Sequence, residues 1–184
     1  MLNLSRRDAL KLSLLTGAMP FTSHENFLRP KSDRLRLGII GVGNRGSDNL
    51  AEVSHEHVVA LCDVDDRYLK SAANQYQDAK TYRDYREMLD ADLDLDAVVV
   101  STPDHTHAPA SLAAMQRGLH CYCEKPLTHS VDEAKAMAKL GKGLVTQMGT
   151  QMHAGDNYRR VVELMQTKPI GNVTEVHVWC GKDW

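Results

Sequence analysis

The chain has 184 residues, enough for one complete domain and part of a second, and a formal net charge of -2 at pH 7 that gives no basis for a nucleic-acid partner. Apolar residues make up 42% of the sequence, sufficient for a packed core, while no apolar run approaches the roughly 20 residues that a membrane-spanning helix requires. An integral membrane protein is therefore not expected.

The N-terminus reads Ser5-Arg6-Arg7-Asp8-Ala9-Leu10-Lys11, followed by a weakly apolar stretch over residues 12–21 that is broken by Ser13, Thr16 and Gly17. Paired arginines before such a stretch resemble a twin-arginine export signal. Ala9 stands where that pattern has Phe, and no A-x-A cleavage site follows. The alternative is an N-terminal segment with two chance arginines and a cytoplasmic protein. The export route carries proteins already folded, which suits a cofactor-bound enzyme destined for the periplasm. Residues 22–33 read as a polar linker containing Pro30, so residues 1–33 are taken as leader and linker.

From residue 34 onwards strands and helices alternate. Residues 35–40 form a buried strand ending in glycine, and a helix is expected over 45–54. A second strand spans 57–62 and ends at Asp63, with helical material over 66–75 and 84–89. Residues 97–100 are too apolar to face water on either side. Pro109 sits near the start of the next helix, where its missing N–H costs nothing. Residues 120–124 are a strand that places Cys121 and Cys123 on one face. Ser130-Val131-Asp132-Glu133 is a capping box, and Val131, Ala134, Met137 and Ala138 share one face of the helix it opens. A last strand covers 144–148. Cys62, Cys121, Cys123 and Cys180 form no CxxC pair and no His/Cys cluster at zinc spacing, so they read as buried small hydrophobes and no metal is expected. The pattern predicts an α/β fold, a doubly wound parallel sheet occupying residues 34–150.

Beyond Gly149 the pattern changes. Tyr158, Val161, Val162 and Met165 follow helical spacing, so an amphipathic helix is expected over 157–166 with Asp156 as its cap. A turn at Pro169-Ile170-Gly171-Asn172 leads into residues 173–179, which alternate as a strand with one wet face. A lone helix and strand cannot close a core, so residues 151–184 are expected to be the incomplete start of an α+β second domain, in a fragment or a truncated product.

Gly41-Val42-Gly43-Asn44-Arg45-Gly46 matches G-x-G-x-x-G between a buried strand and a helix, the context that makes it a dinucleotide-binding loop. Gly41 makes the tight turn, Gly43 lets a pyrophosphate approach the backbone, and Gly46 permits close helix–strand packing. Asn44 and Arg45 lie on the same loop. Asp63, at the end of the second strand, has the spacing of the carboxylate that holds an adenosine ribose. It favours NAD over NADP by repelling a 2′-phosphate.

Three further segments carry a family likeness. Ser101-Thr102-Pro103-Asp104-His105-Thr106-His107, Glu124-Lys125-Pro126 and Ile170-Gly171-Asn172-Val173, together with the glycine loop, resemble the glucose–fructose oxidoreductase, inositol dehydrogenase and rhizopine-catabolism family, Gfo/Idh/MocA. The resemblance covers residues 34–184. It implies an NAD(P) oxidoreductase that transfers a hydride from a sugar, inositol or related polyol, and a homo-oligomer for the full-length parent. It also implies that Lys125 is the acid/base residue, with a cis bond before Pro126, and that Thr102, Pro103, His107 and Glu124 border the cofactor. His107 can alternatively be a polar residue of the first helical turn. The lysine role agrees with chemistry, since a hydroxyl proton must leave as hydride does.

Two departures from the family pattern stand out. The Leu140-Gly141-Lys142-Gly143 connection is about two residues short, which points to strain at the sheet edge. No D-x-x-x-H segment follows Gly149, so the aspartate and histidine that complete the family's acid/base set are missing. Two alternatives follow: a nucleotide-binding module without catalysis of its own, and part of an NAD-dependent glycosidase of the same family. For the leader, replacing Arg6 and Arg7 with lysine should retain a reporter fusion in the cytoplasm, as measured by fractionation. Unchanged export would remove the twin-arginine reading.

Overall fold

A computed structural model describes residues 34–179 and 181. The arginine pair, the linker and Cys180 lie outside the described residues. Six strands form one parallel sheet: β1 (Arg36–Ile40), β2 (His57–Cys62), β3 (Lys80–Tyr82), β4 (Ala97–Val100), β5 (His120–Glu124) and β6 (Thr146–Gly149). Their order across the sheet is β3-β2-β1-β4-β5-β6. The chain winds from the centre to one edge, returns, and then winds to the other edge. Helices α1 (Arg45–Glu52), α2 (Asp66–Gln75), α3 (Tyr85–Asp90), α4 (His107–Gln116) and α5 (Val131–Leu140) make the crossovers, and α6 (Gln151–Ala154) and α7 (Asp156–Gln166) follow. This is the doubly wound architecture that the sequence predicts. The additional strand β3 has three residues, none fully buried, too short and too polar to show as an apolar run.

The central strands β1, β2 and β4 are largely apolar because both of their faces are covered. Leu37 and Ile39 of β1 pack with Leu50, Leu69 and Ala72 beneath α1 and α2. Ile40 points the other way and packs with Met88, Ala108, Ala114 and Met137 beneath α3, α4 and α5. In β4, Val99 serves the first core and Val98 and Val100 the second. The β1–β2 register shifts after Leu37, and Ala60 and Leu61 still reach opposite cores. Cys62, Cys121 and Cys123 are free, buried members of the second core, as expected. Burial pushes the Cys62 and Cys123 thiols up to about 12, so they behave as small hydrophobes.

Local signals set the helix starts. Asp65 accepts from the Arg67 N–H at 2.9 Å and Asp84 from the Arg86 N–H at 2.8 Å. Ser130 and Glu133 form the expected capping box. The seam between β1 and β4 is tied at its start. Asp96 accepts from the Arg36 backbone N–H, while the Arg36 guanidinium donates to the carbonyls of Leu93 and Asp94.

Four expectations need correction. Val131 is 71% exposed, and Met137 is the only fully buried residue of α5, because this helix packs on α4 at the outer edge of the sheet. The short connection after α5 is not strained: Leu144 N–H donates to the Gly141 carbonyl at 3.0 Å, and the positive φ falls on Gly143. Asp156 is the first residue of α7, and Gly155 occupies the cap position. Residues 173–179 form no strand, since among the described residues no neighbouring strand pairs with them. The helix α7 does form, and its apolar positions Tyr158, Val161, Val162 and Met165 are all exposed. Among the described residues no helix is long and apolar enough to cross a membrane.

Met88 is wholly buried between α3 and the sheet. Met88→Ala should lower stability in urea titration by about 2–5 kcal/mol, whereas Val131→Ala should stay within about 0.5 kcal/mol.

Candidate cofactor and acid/base site

All the predicted site residues lie at or just beyond the carboxyl ends of β1, β2, β4 and β5, where doubly wound sheets bind ligands. The glycine loop joins β1 to α1. Gly41 has φ +87°, and a Cβ there would lie 2.6 Å from the Ser101 carbonyl oxygen. A Cβ on Gly46 would lie 2.2 Å from the Gly41 carbonyl oxygen, so the first turn of α1 can close on the loop only without a side chain. Gly43 carries a constraint that the motif does not announce: its missing Cβ leaves room for the ring of Tyr68, which would otherwise be 2.6 Å away. The Tyr68 hydroxyl lies 3.5 Å from Asn44 Oδ1, and Asn44 has φ 46°.

Asp63 is held against this loop. Its Oδ2 accepts from the Val42 N–H at 2.9 Å and its Oδ1 from the Asp65 N–H at 2.9 Å. A carboxylate has further lone pairs, so this anchoring leaves acceptor capacity for ribose hydroxyls. The loop backbone, the N-terminus of α1 and the half-exposed Asp63 form a cradle that only glycine permits, and they fit an adenosine pyrophosphate. Thr102 Oγ1, on the loop after β4, is buried without a protein hydrogen-bond partner, a second feature that suits a site completed by a bound group.

Glu124 and Lys125 end β5 and diverge. Lys125 and Pro126 are exposed, and the bond between them is cis, as the resemblance implies. Glu124 is 4% exposed. Its Oε1 accepts from Asn49 at 2.9 Å, Arg45 Nε at 3.2 Å, the Tyr122 hydroxyl at 3.3 Å and Gln151 at 2.5 Å. Burial pushes the Glu124 pKa up, but donation from Asn49, Gln151 and Arg45 outweighs burial and leaves it below the ordinary value. Its carboxylate thus ties the first turns of α1 to the end of β5 and to α6.

His107 is 1% exposed, with Nδ1 2.6 Å from the Pro126 carbonyl oxygen and Nε2 2.7 Å from the Thr102 carbonyl oxygen. It is an interior residue of the first helical turn that links the two loops bordering the site. Pro103 is exposed on the loop after β4. Asn49, Ser101, Tyr122 and Gln151 complete the network and escaped sequence reasoning. Asn49 had a signal: it lies four residues after Arg45, hence on the same helical face. Among the described residues no group of three His, Cys, Asp or Glu side chains could hold a metal ion.

Residues 35–150 match the model of an oxidoreductase family with an NAD-binding Rossmann fold, Gfo/Idh/MocA. The chain belongs to the Gfo/Idh/MocA family. A glycosyl hydrolase family 109 protein of Shewanella pealeana is 30% identical over 192 residues, covering 86% of this chain and 41% of that protein. Inositol 2-dehydrogenase of Salmonella typhimurium is 31% identical over 152 residues, covering 78% of this chain and 45% of the relative. Among solved structures, myo-inositol 2-dehydrogenase of Lactobacillus plantarum superimposes with a TM-score of 0.70 at 30% identity, covering 76% of this chain and 43% of that one. The myo-inositol dehydrogenase of Lactobacillus casei, solved in complex with NAD(H) and myo-inositol, gives 0.65 at 27% identity over 75% and 43% of the two chains. This Gfo/Idh/MocA chain spans less than half the length of these relatives.

The Glu124 network generates a prediction. Glu124→Gln replaces one carboxylate oxygen by an amide that cannot accept, and should lower stability by about 1–3 kcal/mol at neutral pH. Because the folded-state pKa is lowered, the carboxylate's contribution is present above the ordinary value of 4.5 and is lost as pH falls through the folded value. Urea titrations of both proteins should therefore converge as the pH drops below 4.5.

Proposed function

We propose that this chain is the NAD-binding part of an exported oxidoreductase that removes a hydride from a carbinol carbon of a sugar, inositol or related polyol. The observation that carries the proposal is the joint placement of two groups. Asp63 is fixed to the glycine loop, and the exposed Lys125 follows the buried Glu124 at the end of β5, so both stand at the carboxyl end of the parallel sheet. Bound NAD would supply the hydride acceptor. Asp63 holds the adenosine ribose and disfavours a 2′-phosphate, and Lys125 Nζ takes the hydroxyl proton as the carbinol carbon is oxidised. The similarity to inositol dehydrogenases favours a polyhydroxylated ring as substrate.

A second reading has its own support. The match to the Shewanella pealeana glycosyl hydrolase family 109 protein covers more of this chain, 86%, than the match to the inositol dehydrogenase, 78%. In that reading the same cofactor cradle serves cleavage of a glycoside.

Calorimetry of the full chain should show tighter binding of NAD(H) than of NADP(H), and Asp63→Ala should narrow the difference. Equal affinities would overturn the role of Asp63. A panel of inositols, polyols and aldoses followed by NADH absorbance, beside nitrophenyl glycosides followed by nitrophenolate release, separates the two chemistries. Any dehydrogenase turnover should fall at least about a hundredfold in Lys125→Ala, the usual scale for loss of a general base.

A further inference from the structure

The environment of His107 contains a proton count that a neutral ring cannot satisfy. Both ring nitrogens face backbone carbonyl oxygens, at 2.6 Å and 2.7 Å, and the side chain is inaccessible to water. Carbonyl oxygens only accept. A neutral imidazole has one N–H and one lone pair, so one of these contacts would set a lone pair against an oxygen inside hydrogen-bond distance. The imidazolium has two N–H groups and satisfies both. Charge-assisted bonds of this kind are also short, as these two are.

The two acceptors belong to the loops that flank the site. Thr102 follows β4, and its own hydroxyl is buried without a partner. Pro126 closes the cis bond after Lys125. We propose that His107 is a positioning residue: a buried imidazolium that donates one N–H to each loop and so fixes the gap between the β4 loop and the loop carrying Lys125. The titratable groups on the two loops it joins are Asp104, His105, Lys125 and His129, and Cys121, Cys123 and Glu124 stand on the neighbouring strand β5. Its ring makes its hydrogen bonds to the two carbonyls and to none of these side chains. Lys125 therefore receives its position through the carbonyl of the next residue, and its side chain stays free for chemistry.

The link to catalysis rests on the role proposed for Lys125. The state of the ring does not, and the two can fail separately. The decisive measurement is nitrogen-15 NMR of the full chain labelled at histidine, at neutral pH. One histidine should show protons on both ring nitrogens with slow solvent exchange, and that pattern should be missing from His107→Gln. A His107 ring with one unprotonated nitrogen would overturn the proposal.

Hydrogen exchange followed by mass spectrometry supplies the second readout. In His107→Gln, residues 101–106 and 124–129 should both exchange about tenfold faster or more, the scale of one lost charge-assisted bond, with β1 and β2 unchanged. Acceleration of only one segment, or of neither, would show that the ring does not couple the loops. If His107→Gln does not fold, His107→Asn serves in its place. If both exchange and NMR agree while Lys125→Ala leaves turnover unchanged, the loop clamp stands and the acid/base assignment falls.

Discussion

The first turn of α1 lies so close to the end of β1 that no side chain fits between them. A methyl group at Gly46 would overlap the Gly41 carbonyl oxygen, and one at Gly41 would overlap the Ser101 carbonyl. This contact sets the height of α1 above the sheet, and the rest of the site is measured from it. It places Arg45 and Asn49 within reach of Glu124 and aims the helix N-terminus at the mouth of the sheet. It also presents the Val42 N–H to Asp63. A single larger residue in the loop would thus disturb its contacts with Asp63 and with Glu124 together.

Around this contact the protein uses two different interior devices. Glu124 gathers four donors on one oxygen and binds α1, β5 and α6 into a unit. His107 spans the two loops on the other side of β5. Lys125 follows Glu124 directly and precedes Pro126, whose carbonyl His107 holds, and it is exposed. The backbone on either side of Lys125 is thus fixed by interior hydrogen bonds, while its side chain reaches the surface.

Much of this was legible in the sequence, and the exceptions have physical causes. Strands β1, β2, β4 and β5 announced themselves because a strand covered on both faces has no polar alternation to confuse it. The glycine loop and Asp63 were readable because their spacing is imposed by backbone geometry. Strand β3 was not, since three residues at an edge carry too little burial to leave a pattern. Residues 173–179 had the alternation of a strand but find no pairing strand among the described residues, and periodicity alone cannot supply a hydrogen-bond partner. The roles of Glu124 and His107 were hidden for a related reason. Both residues lie in motifs that suggest contact with a cofactor, and only the packed structure shows the hydrogen bonds they also make within the protein.

The strand order has a consequence for how the chain reaches this state. Every strand pair except one joins neighbours in sequence across a single crossover. The exception is the seam of β1 with β4, which brings Leu37 beside Ala97 and Ile40 beside Val100. Each half, β1-β2-β3 and β4-β5-β6, can assemble from nearby segments. Joining them means closing a loop of about sixty residues, an entropic cost that grows only slowly with length but must be met before the seam contributes its contacts. Arg36 bonds the backbone at residues 93 and 94, and its own N–H meets Asp96, just ahead of β4. The mouth of the cradle, with Gly41 against Ser101, lies at the other end of that seam. A chain with its two halves formed but unjoined would have ordered strands and no place for a nucleotide.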